Sequence, residues 1–145
     1  MAYHYTESGL RNVWLENGYT VRQTPYGETI AIEAIEELHQ VIGRALAHKA
    51  HLTGAELRFL RKQLGLSQAA LAHLVGGSEQ TVSLWERRGK IPKASDRLIR
   101  AVYLEQIDGN VKIQNLLTEL QDIDRSRQER IDLRFSDGDH WRQAA

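Results

Sequence analysis

Apolar residues recur every three to four positions over most of the chain after residue 32, which is the period of an amphipathic α-helix. The spacing predicts a first helix from Glu33 to about Lys49 and a second from Gly54 to Leu64. Further helices are predicted after Ser67, after Ser78 and from Ser95 to about Ile107. A final apolar stripe runs from Val111 to Ile123. The pattern therefore predicts a mainly α protein.

The three central helices have strong start and stop signals. Thr53, Ser67 and Ser78 are good N-cap residues, while Gly65 and Gly76-Gly77 favour helix ends. Together these signals fall within about 35 residues, which predicts short helices joined by tight turns. That arrangement is the layout of a helix-turn-helix unit.

Residues 10 to 32 have a pattern typical of β-strands. Leu10 to Glu16 and Tyr19 to Thr24 are rich in β-branched and aromatic residues, and Asn17-Gly18 between them predicts a hairpin turn. A third strand is expected from Glu28 to Ile32, after a turn at Tyr26-Gly27. We expect this small antiparallel sheet to pack against the first helix, since three strands alone are only marginally stable.

The C-terminal region is predicted to be less regular. Asp124 to Arg130 is highly charged and is expected to be a solvated helix end. Ile131, Leu133 and Phe135 alternate with charged residues as in a short strand, and a frayed tail is expected beyond Ser136. The predicted organisation is an interaction domain at 1–52, a helix-turn-helix domain at 53–108, and a C-terminal helix and tail at 109–145.

The distribution of charge is more informative than the total, which is zero. Residues 54–103 contain nine Lys or Arg and four Asp or Glu, while the segments on either side are net negative. This distribution favours one anion-binding module within a neutral chain. The absence of cysteine excludes disulfides, thiolate catalysis and sulfur-ligated zinc. No signal peptide and no membrane span is visible, so a cytoplasmic protein without membrane contacts is expected.

The outward face of the third central helix is the candidate binding surface. If Val82 and Trp85 face the core, then an opposite polar face remains, formed by Glu79, Gln80, Ser83, Leu84 and Arg87. Glutamine can bind an adenine edge, a carboxylate can accept from cytosine, and leucine can contact a thymine methyl group. Gln68, in the first turn of the preceding helix, is placed to donate to a phosphate. Five basic side chains, Arg87 among them, would attract DNA electrostatically: Lys62, Arg87, Arg88, Lys90 and Lys93.

Simpler interpretations exist for several of these residues. Gln80 is also compatible with an ordinary surface glutamine, and Arg97 and Arg100 with ordinary charged helix positions. His48 and His51 near Glu56 resemble metal ligands, but a histidine pair in a linker is more often surface, so no metal and no cofactor is expected. The N-terminal aromatic residues are more often used for sheet packing than for ligand binding. No catalytic constellation is visible, so an enzyme is not expected.

Within this region the sequence resembles the helix-turn-helix regulators of the Cro/repressor (XRE) class. The matching residues keep an uninterrupted register: Arg61, Gly65, Ser67-Gln68, Leu71-Ala72, Gly76, Ser78, Thr81-Val82, Ser83 and Trp85-Glu86. The resemblance implies a five-helix, phage-repressor-like domain in which residues 78–87 form the recognition helix in the major groove. It also implies an internal ion pair between Arg61 and Glu86.

The expected DNA contacts follow from that resemblance and from the helix faces together. Base contacts are predicted for Glu79, Gln80, Ser83 and Leu84. Phosphate contacts are predicted for Ser67, Gln68, Ser78, Thr81, Arg87, Arg88, Lys90 and Lys93. Glu79 and Leu84 depart from the family pattern, in which polar or basic residues are commoner, so the preferred bases are not predictable.

The overall layout is similar to that of the MqsA-type antitoxins, which have a β-rich N-terminal segment before a helix-turn-helix. Those proteins bind a toxin and repress their own operon, and they hold zinc with N-terminal cysteines that residues 3–9 here lack. The resemblance therefore implies only the architecture, a β-rich N-terminal segment followed by a helix-turn-helix, and not the zinc site. A toxin-binding antitoxin is the alternative to a plain repressor, and a factor whose helix-turn-helix contacts another protein is a third hypothesis.

A dimer is expected because one recognition helix reads only a few base pairs. Two helices at half-sites about 34 Å apart would provide specific affinity for a double-stranded operator. Both the stripe Val111 to Ile123 and the N-terminal sheet are candidate interfaces, and we favour the C-terminal stripe. The sequence thus predicts a homodimeric transcriptional regulator, most simply a repressor.

Overall fold

The computed structural model describes residues 2–121, 130, 132–136, 138 and 140–144. Six α-helices lie within these residues: α1 (Ile35–Ala47), α2 (Gly54–Gln63), α3 (Gln68–Val75), α4 (Glu79–Arg88), α5 (Lys93–Ile107) and α6 (Val111–Gln121). Six short strands pair in twos: β1 (Tyr3–His4) with β2 (Trp14–Leu15), β3 (Tyr19–Thr24) with β4 (Gly27–Ile32), and β5 (Leu133–Ser136) with β6 (His140–Gln143). The predicted mainly α fold with small antiparallel β elements is confirmed.

One hydrophobic cluster connects the helices. The helices α1, α2 and α5 pack on one another, α3 and α4 pack together beside α2, and α6 lies against α3 and α5. Leu57, Leu60, Leu71, Val82 and Ile99 are completely buried where these helices meet. The cluster extends from Tyr5 in the N-terminal segment to Leu120 in α6. The helix-turn-helix segment therefore shares its core with segments on both sides of it.

The helix caps are formed as predicted. The Thr53 hydroxyl accepts from the Glu56 amide at 3.2 Å, and the Glu56 carboxylate accepts from the Thr53 amide at 2.9 Å, which completes a capping box. Ser67 accepts from the Ala70 amide at the start of α3. These bonds satisfy amide groups that would otherwise have no partner in the first turn of each helix.

The N-terminal strands differ from the prediction. Asn17-Gly18 does not close a hairpin: β2 pairs with β1, and β3 pairs with β4 through the connection Pro25-Tyr26. Proline presets the backbone angle that a turn needs at this position, and the Thr24 side chain bonds both the Tyr26 amide and the Gly27 carbonyl. The expected three-stranded sheet is therefore wrong, and two separate strand pairs are present.

The start and the buried face of α5 also differ from the prediction. The helix begins at Lys93, with Pro92 as N-cap and its carbonyl accepting from the Asp96 amide at 2.9 Å. The predicted start at Ser95, as a cap, is therefore wrong, and Ser95 lies in the first turn. Leu98, an apolar residue of this helix that the helical spacing predicts to face the core, is exposed. Tyr103 is buried in its place.

The C-terminal segment is more ordered than predicted. Residues 140–143 form a strand that pairs with 133–136, and the rings of Phe135 and Trp141 pack edge to face at 5.3 Å, so the expected frayed tail is wrong. In α6, Leu117 and Leu120 are buried in the core while Val111 remains exposed. The predicted helix end at 124–129, as well as Ile123 and Ile131, lies outside the described residues.

Candidate nucleic-acid interface

The turn between α3 and α4 fixes the angle between the two helices. Gly76 ends α3 in the left-handed conformation, with a φ of 75°, which glycine adopts without the steric cost of a side chain. The Gly77 amide donates to the Ala72 carbonyl at 2.8 Å. Ser78 then caps α4 by accepting from the Thr81 amide at 3.2 Å. Two short helices are thereby joined by a tight turn that leaves the outer face of α4 uncovered.

The side chains predicted to read bases lie together on that face. A shallow concave surface of about 420 Å³ is lined by Gln68 of α3 and by five residues of α4, namely Glu79, Gln80, Ser83, Leu84 and Arg87. Val82, on the opposite face of α4, is completely buried, and Trp85 packs against the core. The structure therefore brings the four predicted base contacts together with two of the predicted phosphate contacts.

A buried ion pair holds the back of α4. Arg61 donates to both carboxylate oxygens of Glu86, from Nε at 2.7 Å and from Nη2 at 3.0 Å. Its third nitrogen, Nη1, donates to the Leu66 carbonyl. Gln68 also donates to Glu86, at 3.3 Å. The structure thus contains the Arg61–Glu86 ion pair that the resemblance implied, and together with Gln68 it connects α2 and the amino end of α3 to α4.

The amino end of α2 lies directly against the carboxyl end of α4. A Cβ atom at Gly54 would lie 2.2 Å from the Glu86 carbonyl oxygen and 2.8 Å from that of Trp85. Only glycine permits this approach, since both neighbours are backbone atoms. The sequence marked Gly54 only as the first residue of a helix, and no sequence pattern reveals the contact.

The remaining predicted phosphate contacts lie at the starts of α3 and α4, at the end of α4 and at the start of α5. Ser67, Ser78 and Thr81 lie at helix starts, and the Ser78 and Thr81 hydroxyl groups are 2.9 Å apart. Arg88 and Lys90 are exposed at the end of α4 and in the following loop. Lys93 lies at the start of α5, in a hollow that also includes His51, Arg97 and Arg100. Arg88, Lys90 and Lys93 therefore do not line the concave surface of α4.

Arg100 has a structural position. Its Nε donates to Asp96 at 2.5 Å, and its Nη1 donates to the Lys49 carbonyl at 2.6 Å. Asp96 in turn accepts from the Leu52 amide. These bonds hold the linker between α1 and α2 against α5, so Arg100 is a structural residue and not a solvated charge on the helix surface.

Both carboxylate oxygens of Glu56 accept hydrogen bonds from neighbouring residues. Lys49 donates to both of its carboxylate oxygens, at 2.8 and 2.7 Å, and Asn12 lies 3.5 Å away. Burial opposes ionisation of this carboxyl group, but the hydrogen bonds from Lys49 and Thr53 outweigh burial and hold the pKa below its ordinary value. Glu56 therefore remains ionised and paired with Lys49. His48 and His51 are not among the residues that bond it.

Only some of the N-terminal aromatic residues pack against other rings or the core. The rings of Tyr3 and Tyr19 lie 5.3 Å apart, and Trp14 stacks on His4 at 4.0 Å. Tyr5 is buried and bonds His39 of α1. Tyr26, at the tip of the β3–β4 hairpin, is completely exposed.

Comparison with known families agrees with this geometry. Residues 57–96 match the family model described as helix-turn-helix. Searches of curated proteins and of solved structures gave no match. None of the described helices combines the length and the apolar character that a membrane crossing requires. The match covers most of α2, all of α3 and α4, and the start of α5, which are the elements that position the concave surface.

Proposed function

We propose that this chain, whose residues 57–96 form a helix-turn-helix domain of the XRE class of DNA-binding regulators, represses transcription as a homodimer bound to an operator. The recognition helix α4 enters the major groove with its concave outer face toward the bases. Repression follows from occupation of the operator. The co-location of Glu79, Gln80, Ser83, Leu84, Gln68 and Arg87 on one surface is the observation that supports this proposal.

The side chains of this surface fall into two groups with different expected roles. Gln80 and Ser83 are polar and can exchange hydrogen bonds with base edges, while Leu84 offers an apolar contact for a thymine methyl group. Gln68, at the start of α3, and Arg87, near the end of α4, suit contacts to phosphates. The cations would provide affinity for any duplex, and the base-contacting side chains Gln80, Ser83 and Leu84 would provide preference for one sequence.

The two roles predict different defects. Gln80→Ala is expected to weaken binding to the operator by about 1–3 kcal/mol while binding to unrelated DNA stays unchanged. Arg87→Ala is expected to weaken binding to every duplex and to lower the slope of log affinity against log salt by about one. Gel-shift titrations with DNA from upstream of the chain's own coding sequence, at several salt concentrations, measure both effects.

Gln40→Ala is the matched control, because Gln40 is exposed on α1 and lies outside the concave surface. It should bind as the wild type does. Absence of any shift by the wild-type protein at low salt would contradict DNA binding, and equal defects of Gln40→Ala and Gln80→Ala would contradict the assigned reading face.

The C-terminal segment 109–145 is our proposed source of the dimer interface. In the β5–β6 hairpin, Leu133, Phe135 and Trp141 share one face and are exposed. A two-stranded hairpin is marginally stable alone, and an apolar face can pair with its own copy about a two-fold axis. The helical stripe is less suitable than its sequence indicated, because Leu117 and Leu120 already contribute to the core.

A paired substitution tests that interface without disturbing the core. Phe135→Ser with Trp141→Ser should convert a dimer into a monomer in sedimentation velocity and weaken operator binding. Val111→Ser, at an exposed position of α6, should leave the dimer intact. A monomer produced by Val111→Ser alone would place the interface on α6, and a dimer that persists in both proteins would exclude the segment as proposed.

An antitoxin is the second candidate function, supported by the exposed N-terminal hairpin. Among the described residues, β3 and β4 pair only with each other, which leaves the outer edge of β4 without a strand partner. Val21 and Tyr26 are exposed on this hairpin, which suits a protein partner that adds a strand. If a toxin gene lies beside this one, its product should co-purify with the wild type and be lost from a protein lacking residues 19–32.

A further inference from the structure

A cavity lies beside the recognition helix and not on its reading face. It has a volume of about 730 Å³ and forms where the N-terminal segment, the start of α2 and the end of α4 meet. Its apolar floor includes Leu10, Leu52 and Ala55, of which Leu10 and Leu52 are buried. A cavity of this size is within the range that holds small organic molecules.

The charges around the cavity are unequal. Three guanidinium groups line it, those of Arg11, Arg87 and Arg88, and none of them forms an ion pair with a described carboxylate. The two carboxylates at the cavity form ion pairs with other residues: Glu56 with Lys49, and Glu86 with Arg61. An occupant of this cavity therefore meets unpaired positive charge at the edge and apolar side chains at the base.

We propose that this cavity is an effector site for a small organic anion, namely a carboxylate or sulfonate on an apolar body of one or two rings. The anionic group contacts Arg11 together with Arg87 or Arg88, because a planar guanidinium suits a carboxylate better than any other side chain. The apolar body rests on Leu10 and Leu52. The apolar side chains at the base favour such a ligand over a phosphodiester backbone, which has no apolar body to place on them.

Arg87 gives this site a connection to DNA binding. It is the only described side chain that lines both this cavity and the concave reading face of α4. An anion that holds Arg87 in the cavity removes it from the phosphate contact, so ligand and operator compete for one guanidinium group. By linkage the two affinities fall by the same factor. This step rests on the proposed function, whereas the cavity and its ligand class do not.

The binding site is tested first, without DNA. The probe is 1-naphthoate, with 1-naphthylmethylammonium as a cation of the same apolar body. In ¹H–¹⁵N correlation spectra, naphthoate at millimolar concentration should shift amides at 10–12, 52–55 and 87–89, and the cation should not. No shifts, shifts elsewhere, or equal shifts by both compounds would overturn the site.

Arg11→Ala tests the ligand contact, since Arg11 has no assigned role in DNA binding. The variant should bind naphthoate on the order of tenfold more weakly, the effect of losing one charge-assisted contact. Arg22→Ala, an exposed arginine of β3 outside the cavity, is the matched control and should bind as the wild type does. Equal binding by Arg11→Ala and wild type would overturn the proposed anion contact.

Competition with DNA is then measured separately. Saturating naphthoate should weaken the wild-type gel shift several-fold and should have less effect on Arg11→Ala, whose shift without naphthoate remains normal. If naphthoate gives the predicted spectral shifts but leaves the gel shift unchanged, the link through Arg87 is wrong while the site stands. If the protein binds no DNA at all, the proposed function fails, and the spectral result still decides the cavity.

Discussion

Replacing Gly54 with alanine is expected to destabilise the protein and to abolish specific DNA binding. The added Cβ would lie 2.2 Å from the Glu86 carbonyl oxygen, so α2 and α4 must move apart. Overpacking of this kind costs about 1–3 kcal/mol, and here neither neighbour can change rotamer because both are backbone. Urea unfolding would measure the lost stability, and the gel shift would measure the lost affinity.

Gly77→Ala is the matched control for that substitution. A Cβ at Gly77 would meet its nearest neighbour, a Val75 side-chain atom, at 3.9 Å, which is an ordinary contact. Its stability should change by less than about 1 kcal/mol. If Gly54→Ala unfolded at the wild-type urea concentration and bound DNA normally, the close approach of the two helices would not be required for the reading face.

Removing one partner of the Arg61–Glu86 pair is expected to be the most damaging polar substitution. Arg61→Ala leaves the Glu86 carboxylate, whose side chain is 6% exposed, without its main partner. Such an uncompensated buried charge costs about 3–5 kcal/mol. Replacing both residues, as Arg61→Met with Glu86→Leu, should recover most of that stability, because no charge then remains buried.

The exposed ion pair between Arg44 and Asp108 provides the comparison. Its side chains are 50% and 59% exposed, so solvent screens their attraction. Arg44→Ala should cost less than about 1 kcal/mol in the same unfolding experiment. An Arg61→Ala protein as stable as Arg44→Ala would show that the buried pair does not hold α4 in place. A double variant less stable than Arg61→Ala would show that the charge itself is needed.

The helices and their caps were predictable because their determinants are local. A serine or threonine cap and a glycine stop act within one turn of the helix, so Thr53, Ser67 and Ser78 identified the starts of α2, α3 and α4 correctly. The face of α4 was predictable for the same reason. Once Val82 is assigned to the core, helical geometry determines which positions point outward.

The strand pairing was not predictable by the same means. Asn17-Gly18 and Pro25-Tyr26 are both turn sequences, and the choice between them depends on which strand finds a partner. β2 pairs with the N-terminal residues Tyr3 and His4 and therefore does not pair with β3. A choice of this kind is made by contacts between distant segments and leaves no local signature.

The same distinction applies to the site. The sequence by itself determined the helix-turn-helix segment, the residues of its outward face and the concentration of positive charge, since periodicity, caps and composition are properties of the chain. Only the tertiary structure decided that Gly54 abuts the carbonyl groups of α4, and that Arg11 lies at a cavity with Arg87 and Arg88. Both arrangements join segments far apart in the sequence, and the packing of the shared core is what brings those segments together.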